Sequence, residues 1–426
     1  MSTILLTIVS LKMASRVIFD PSSCFSHFLI NRLKKAHDVP APTLRQFSDY
    51  LKIVPIEGKG FGVVAIKDIE PCTLLFAEAA AGAALVDPAS LTASNESILQ
   101  AVSHMTPEIR ARFYALHEGP RPFITREMRI WKTNCFDWPN PNMPENSWGA
   151  ICIDMSRINH SCLPNTDYMH NPSTDKMELY STRAITAGTE ITIRYGLEFE
   201  YCTADERKAR LRYIYGFTCT CPICSDSPLQ MKSDQRRRLI KRNYFVGMMG
   251  QATVPDFSAK ALGIDGPMST RPIGSQRRGV GFHDGMQIFR PGTQEFMRHT
   301  LKLMYDDGLM CGEDFWMHAN IYASTALIRI HKKMKAQMGM PTRQDLVEMM
   351  PLQKLFMAST ILQVKTRAED DPFAIQLKED FALVMNMFNV IIMEPMTIKQ
   401  SEEAIREIME REPDPLVERH WRPRAS

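Results

Sequence analysis

Three cysteines within six residues limit what this chain can fold into more than any other feature of its sequence. Cys219, Cys221 and Cys224 form a Cys-x-Cys-x2-Cys pattern. Thiols at this spacing suit a soft ion with tetrahedral coordination, and structural zinc sites close their coordination with four protein ligands. The pattern supplies three of the four. We therefore expect the fold to bring a fourth ligand from a distant segment to these three thiols.

The composition favours a metal over disulfides at this cluster. Ten cysteines in 426 residues are too few and too unevenly spread for a disulfide scaffold, which favours a reducing compartment. With 44% hydrophobic and 23% charged residues, the chain is typical of a globular protein of two or three domains. The net charge of +3 is too small to predict nucleic acid as a main partner. No run approaches the ~18 apolar residues of a membrane span, so no membrane association is expected.

Residues 1–48 are interpreted as a leader followed by a helix. The opening MSTILLTIVSLKMASRV has no basic residue before its apolar run, so it does not predict a secretory signal. Several basic residues and a late first acid, Asp20, give it a weak similarity to an organelle transit peptide, and Met13 is an alternative start. The following CFSHFLINRLKKAHDV has helical spacing and ends before Pro40.

From residue 51 the pattern changes to short runs that are typical of β-strands. These runs are LKIVPI, GVVAI and TLLFAEA, and later GAICIDMSRI, KMELYSTRAI and TEITIRYG. Residues 94–118 have helical spacing, and the Pro/Asn-rich DWPNPNMPENSW predicts a loop.

Two charged stretches are interpreted as exposed helix faces. TADERKARLRYIYG predicts a helix with Thr203 as its N-cap, because acidic residues come first and basic residues later. Its Asp205, Glu206, Arg207 and Lys208 are expected to form a solvated face. The stretch DQRRRLIKR is also expected to be a basic helix face, with a nuclear address or a partner patch as alternatives.

The C-terminal half is expected to differ from the first. Residues 228–292 are interpreted as a linker or irregular segment, because a long Gly/Pro-rich stretch lies within them. From 293 to 426, apolar residues at i, i+3 and i+4 predict an all-helical domain packed against the first half. Its many Met and Phe side chains are expected to form its core.

Four segments in order resemble a known family. They are GKGFGVVAIKDIEPCTLL, RINHSCLPNTDY, TRAITAGTEITIRYG and ERKARLRYIYGFTCTCPIC. This order is similar to that of the SET and MYND domain family and its fungal SET-domain relatives, over about residues 49–225. One departure is that no MYND zinc finger is visible, since only Cys135 lies between Glu78 and Gly149. Recognition of partners by a MYND module is therefore not expected.

The resemblance implies an α+β fold with a β-rich SET domain and a zinc-bound post-SET segment, followed by an all-α domain. The expected SET domain covers residues 49–196, with a helical insert at about 79–148, and the post-SET segment covers 197–227. The implied enzyme is a lysine N-methyltransferase that uses S-adenosyl-L-methionine and holds a structural Zn²⁺. The helical domain at 293–426 is expected to line the channel for the acceptor lysine.

The resemblance also assigns roles to residues whose individual signals are weak. Taken alone, EGKGFG is a hairpin turn, Asn-His is a capped turn, each aromatic is a core residue, and Cys162 is a small buried side chain. The resemblance implies cofactor contacts from Lys59, Gly60, Phe61, Asn134, Asn159, His160, Tyr195 and Phe217. It implies catalytic roles for Tyr195 and Tyr215, and zinc ligation by Cys162, Cys219, Cys221 and Cys224.

Other functions remain open at this point. One alternative is a SET-fold binding or scaffold protein with little catalysis, and another is methyl transfer to a non-protein amine. The expected partner is a protein substrate with an accessible lysine, the expected state is a monomer, and the expected location is nuclear, cytoplasmic or both. The sequence leaves open the substrate and the number of methyl groups transferred.

Overall fold

The computed structural model describes residues 49–87, 92–120, 125–138, 148–171, 173–195, 202–248, 252–254, 293–309, 313–336, 342–365, 372–386 and 396–415. The predicted leader, its helix and the choice of start residue lie outside these ranges, as does most of the predicted linker. Among the helices in these ranges, none is both long and apolar enough to cross a membrane.

Residues 51–193 contain many short strands, as the short β-type runs predict. The strands are β1 (Leu51–Ile56), β2 (Gly60–Ala65), β3 (Leu74–Ala79), β4 (Gly82–Asp87), β5 (Thr92–Ala93), β6 (Cys135–Trp138), β7 (Trp148–Ile151), β8 (Asn159–His160), β9 (Thr166–Asn171), β10 (Lys176–Ser181) and β11 (Glu190–Ile193). They form three small sheets with the orders β1-β2-β11-β8, β3-β10-β9 and β5-β4-β7-β6.

One strand pair differs from the others in direction. Every other strand pair is antiparallel among the described residues, whereas β8 runs parallel to β11, with Asn159 opposite Thr192 and His160 opposite Ile193. The parallel pair places the Asn-His dipeptide beside the strand that leads directly to Tyr195. The first two sheets share one apolar core. Its fully buried members include Leu51, Val63, Leu179 and Ile191.

The predicted insert at about 79–148 is only partly helical. It contains helices α1 (Asn95–Ser103), α2 (Pro107–Tyr114) and α3 (Arg126–Asn134), but strands β4 to β7 flank them. Each helix begins after a hydroxyl side chain, Ser94, Thr106 or Thr125, that accepts the backbone N–H three residues later. The expectation of a helical insert was wrong for β4 and β6, because both pair with β7 in a sheet that buries one face against α1 and α3.

The segment after the SET-like strands is more regular than the sequence predicted. Helix α4 (Ala204–Tyr215) begins at the predicted N-cap Thr203, whose N–H donates to Glu206 Oε2 at 2.6 Å. Helix α5 (Pro228–Arg242) and a π-helical turn (Asn243–Met248) occupy the start of the range interpreted as a linker. That interpretation was wrong for these residues, because α5 buries one face between the two halves of the chain.

The C-terminal half is helical, as its amphipathic pattern predicts. Its helices are α6 (Thr293–Asp306), α7 (Glu313–Ala336), α8 (Arg343–Lys365), α9 (Pro372–Asn386) and α10 (Ile398–Arg411). Their apolar faces share one core, and buried Met304, Phe315 and Phe356 belong to it, as expected for the Met and Phe residues. Cys72 and Leu163 from the first half also pack against this core, so the two halves are in direct contact.

Candidate cofactor and metal site

The turn between β1 and β2 exposes backbone at the edge of the first sheet. Gly58 and Gly60 adopt positive φ angles of 72° and 78°, which non-glycine residues resist. The Lys59 N–H closes the turn by donating to Ile56 O at 3.0 Å. Phe61 follows with 59% of its surface exposed. The turn therefore leaves main chain and an aromatic ring free to contact a ligand.

Asn159 lies against this turn. Its Nδ2 donates to Phe61 O at 3.2 Å and to Glu190 Oε1 at 2.9 Å. The second oxygen of Glu190 pairs with Lys59 Nζ at 2.6 Å. A Cβ at Gly62 would lie 2.6 Å from Asn159 Nδ2, so only glycine permits this approach. The sequence analysis missed Glu190, because a lone acid at a strand start carries no pattern.

His160 connects the parallel strand pair to the cysteines. Its Nδ1 accepts the Tyr195 N–H at 2.9 Å, and its Nε2 lies 3.2 Å from Cys162 Sγ. Since Nδ1 accepts, the proton resides on Nε2, which donates to the sulfur. Burial lowers the pKa of His160 to about 3, so the imidazole is neutral at physiological pH.

Two aromatic rings, Tyr195 and Phe217, contact the same imidazole, and Tyr215 packs against both of them. The Tyr195 and Tyr215 ring centroids are 4.9 Å apart, and Phe217 lies 6.1 Å from Tyr195 and 6.0 Å from His160. The Tyr195 hydroxyl donates to Ile158 O at 2.7 Å. Burial raises the pKa of both tyrosines, so both hydroxyls stay protonated at physiological pH. The structure therefore brings together these predicted residues from three separate segments.

Asn134 is held differently from the other predicted cofactor residues. Its side-chain amide donates to His117 O at 2.8 Å and to Ile130 O at 2.7 Å, both within the insert. Its main-chain oxygen accepts from Ser156 Oγ at 3.2 Å, three residues before Asn159. The described contacts of Asn134 therefore anchor the insert to the segment before Asn159, and its role toward a cofactor stays a prediction.

A buried acid supports the chain segment that leads into the parallel strand. Glu78 on β3 is only 3% exposed, and its carboxyl oxygens accept the N–H of Asp154 at 3.0 Å and of Met155 at 2.9 Å. Asp154 also forms a close ion pair with Arg112 of α2. Sequence patterns did not identify Glu78, because an acid within LLFAEA suggests an exposed strand position.

Glu78 is expected to make stability depend on pH. Burial, followed by the charge of Asp154, raises the pKa of Glu78 from 4.5 to about 8. Between these values the folded protein holds a proton that the unfolded chain has lost, so stability falls as pH rises through this window. We expect the free energy of unfolding to fall by up to ~1.4 kcal/mol per pH unit between about pH 5 and 8.

The variant Glu78→Gln should flatten this slope, because glutamine does not ionise. Urea unfolding of both proteins from pH 5.5 to 8.5 measures the difference. The exposed Glu108→Gln serves as a matched control and should keep the wild-type slope. Equal slopes for wild type and Glu78→Gln would contradict the assignment.

The four predicted zinc ligands converge. The sulfur atoms of Cys162, Cys219, Cys221 and Cys224 all lie within 4.8 Å of one another. Cys162 Sγ is 3.8 Å from Cys219 Sγ and 3.6 Å from Cys224 Sγ. Four sulfurs at about 2.3 Å from a tetrahedral zinc are separated by roughly 3.8 Å, so these distances fit that ion. Within the described residues, this is the group of side chains that could hold a metal.

A buried arginine lies beside the four thiols. Arg207 is fully buried, and its guanidinium donates to Cys224 Sγ at 3.3 Å and to the carbonyls of Cys202 at 2.5 Å and Ile223 at 2.8 Å. Hydrogen bonds from Cys162 and Cys219, assisted by this positive charge, lower the pKa of Cys224 to about 6. The interpretation of Arg207 as part of a solvated face was wrong, because these acceptors draw it inward. Asp205 is exposed, as expected.

The basic stretch on α5 is also partly buried. Asp234 accepts the Ala204 N–H at 2.7 Å, and Lys241 pairs with Glu206 at 3.0 Å. Arg237 is 1% exposed. The prediction of an exposed basic face therefore holds only for the outward side of α5. The inner side of α5 contacts α4, which precedes the clustered thiols.

Comparison with known proteins agrees with this geometry. Residues 60–196, about a third of the chain, match the SET domain family. The chain carries a SET domain. This domain includes the glycine turn from Gly60, the Asn-His pair and Tyr195, whereas Tyr215, Phe217 and the clustered cysteines follow it. The match confirms the resemblance and the SET fold with a helical C-terminal region.

Curated relatives match parts of the chain. Histone-lysine N-methyltransferase set5 of Schizosaccharomyces pombe is 29% identical over 202 residues, which cover 45% of this chain and 56% of that protein. Histone-lysine N-methyltransferase SMYD3 of Mus musculus is 38% identical over 91 residues, 21% of this chain and 20% of that protein. The chain thus spans little more than half the length of the S. pombe relative.

A solved structure is also similar in part. The SET domain of LSMT, crystallised with lysine and AdoHcy, aligns at 12% identity over 83% of this chain and 95% of that chain. The TM-score is 0.26, so no detail of the site is taken from it.

Proposed function

We propose that this protein is a lysine N-methyltransferase that uses S-adenosylmethionine and acts on a lysine side chain of a protein. The observation that carries the proposal is the convergence on the Asn-His pair: Asn159 contacts the glycine turn, and His160 contacts Tyr195 and Phe217, against which Tyr215 packs. The SET domain match and the names of the relatives, which are histone-lysine N-methyltransferases, support it.

The residues of the turn suit the polar parts of the proposed cofactor. The Lys59 ammonium can bind the carboxylate of the cofactor, and the Asn159 amide already binds the backbone of the turn. Phe61 offers an exposed ring against which an adenine can stack. Backbone at Gly60 can approach a ligand closely. When bound, S-adenosylmethionine would supply a methyl group on a cationic sulfur.

The aromatic residues suit the acceptor side of the reaction. A lysine amine has an ordinary pKa of about 10.4, and it must lose its proton before it can attack a methyl carbon. The rings of Tyr195, Tyr215 and Phe217 exclude water, and desolvation lowers the pKa of an amine. Because the Tyr195 proton is donated to Ile158 O, the phenol oxygen is left as an acceptor for amine N–H or methyl C–H groups.

The four thiols suit a structural zinc ion. Their spacing fits tetrahedral coordination, and four thiolates leave no open position for a catalytic water. Cys219 follows Phe217 by two residues. A zinc ion bound by all four thiolates would therefore fix the positions of the Tyr215 and Phe217 rings. We propose that residues 197–227 act as a post-SET segment in this way, that the substrate is a protein, and that the enzyme works in the nucleus, the cytoplasm or both.

Asn159→Ala tests the proposed cofactor site directly. Loss of the amide should weaken binding of S-adenosylmethionine about tenfold, because it removes one charge-assisted hydrogen bond and frees Glu190. Titration calorimetry on wild type and variant measures this. Asn320→Ala, which loses a hydrogen bond to Thr360 within the C-terminal helices, serves as control and should bind normally. Equal affinity in Asn159→Ala would remove Asn159 from the site.

Turnover of labelled cofactor with proteins, peptides and small amines distinguishes the possible functions. Label transferred to lysine in a protein or peptide supports the proposal. Cofactor binding without transfer to any acceptor would favour a binding or scaffold protein. Transfer to small amines alone would favour a non-protein substrate.

A further inference from the structure

The proposed metal site depends on one ligand that is remote in sequence. Cys219, Cys221 and Cys224 share one short segment, whereas Cys162 lies 57 residues before Cys219. Residues 161–164, here called the Cys162 loop, lie in the connection between β8 and β9. The site is complete only while this loop stays over the other three thiols, so whatever holds the loop also holds the fourth ligand.

Two arginines bind the backbone of the Cys162 loop. Arg237 of α5 donates through Nη2 to Cys162 O at 3.5 Å. Arg183 donates through Nη2 to Pro164 O at 3.0 Å and to Gly308 O at 3.4 Å. Gly308 lies just after α6, so Arg183 joins the loop to the C-terminal helices.

The charge of Arg237 is balanced by the C-terminal half. Arg237 Nε lies 2.9 Å from Asp307 Oδ2, and both side chains are 1% exposed. Ser233 Oγ also donates to Asp307 at 3.1 Å. A buried guanidinium needs such a partner, since a lone buried charge is strongly unfavourable. Asp307 therefore keeps Arg237 in position beneath Cys162.

Apolar packing joins the same elements. Leu163 of the Cys162 loop contacts the core of the C-terminal helices. The turn at Gly308, with a φ angle of 76°, comes close to the Leu163 side chain. The end of α6 thus contacts the loop through an ion pair, through Arg183 and through Leu163.

We infer that the C-terminal helices retain the zinc ion, because the buried Arg237–Asp307 pair holds the backbone of Cys162 in ligating position. This inference rests on the zinc site proposed above. Arg237 and Asp307 act here as positioning residues, through Cys162. Outer residues that orient metal ligands typically change metal affinity 10–100-fold when they are replaced.

Zinc transfer from the intact protein to a coloured chelator measures retention. We expect Asp307→Asn to release zinc at least tenfold faster than wild type. Glu407→Gln is the matched control, since it breaks an exposed pair with Lys354 in the same helical half and should release zinc at the wild-type rate. Circular dichroism checks that each variant is folded.

A double variant separates loss of the contact from general destabilisation. Arg237→Met with Asp307→Leu removes both buried charges, which protein cores tolerate better than a single unpaired charge. It should fold and still release zinc faster. Wild-type release rates in this folded double variant would overturn the inference, even if Asp307→Asn alone failed to fold. If the purified wild-type protein contained no zinc and bound none, the proposed metal site itself would be wrong.

Discussion

Replacing Cys219 by serine is expected to abolish zinc binding at the proposed site and to reduce methyl transfer to background. Three remaining ligands do not close a structural zinc site, and structural zinc contributes ~10–16 kcal/mol in small zinc-dependent peptides. Tyr215 and Phe217 precede Cys219 by four and two residues, so loss of the ion should disorder these two rings of the proposed acceptor site. Elemental analysis gives the zinc content, and labelled cofactor gives the activity.

The matched control for this experiment is Cys135→Ser, since Cys135 lies outside the cluster of four thiols. It should retain one equivalent of zinc. Cys162→Ser should behave like Cys219→Ser. A full equivalent of zinc with unchanged affinity in Cys162→Ser would disprove the link between the Asn-His segment and the clustered cysteines.

Arg207→Met is expected to lower the free energy of unfolding by about 3–5 kcal/mol and zinc affinity by about 10–100-fold. The substitution removes the positive charge beside four thiols and the Arg207 hydrogen bonds to the carbonyls of Cys202 and Ile223. Methionine fills much of the volume of the arginine side chain, so the loss of stability and zinc affinity would come from the lost charge and hydrogen bonds. Urea unfolding of the zinc-loaded protein and competition with a chelator measure the two quantities.

The neighbouring Lys208→Met provides the comparison. Lys208 pairs with Asp226, which is 85% exposed, so its loss should cost less than about 1 kcal/mol. If Arg207→Met and Lys208→Met had equal effects, the buried guanidinium would have no special part in the metal site.

Local patterns made part of this structure predictable. The short β-type runs, the N-cap at Thr203 and the spacing of Cys219, Cys221 and Cys224 depend on neighbours in sequence, and the structure contains each of them. Amphipathic spacing likewise predicted the C-terminal helices. The family resemblance, rather than spacing, singled out Cys162 as the fourth thiol.

Features that depend on distant contacts were not predictable in this way. Arg207 and Arg237 were interpreted as solvated because arginine is usually exposed, but carbonyl, thiol and carboxylate partners from other segments make their burial favourable. Glu78 has backbone N–H partners 76 residues away. Strands β4 and β6 within the insert were missed because their pairing with β7, not their composition, determines them.

The position of Asp307 in the chain has a consequence for synthesis. Asp307 lies 83 residues beyond Cys224, so at roughly 5–20 residues per second it leaves the ribosome about 4 to 17 s after the last cysteine of the cluster. During this interval the four thiols are already made, but the partner of Arg237 is not. A metal ion or an oxidant that reaches the thiols during this interval therefore meets them before the pair that holds the Cys162 loop exists.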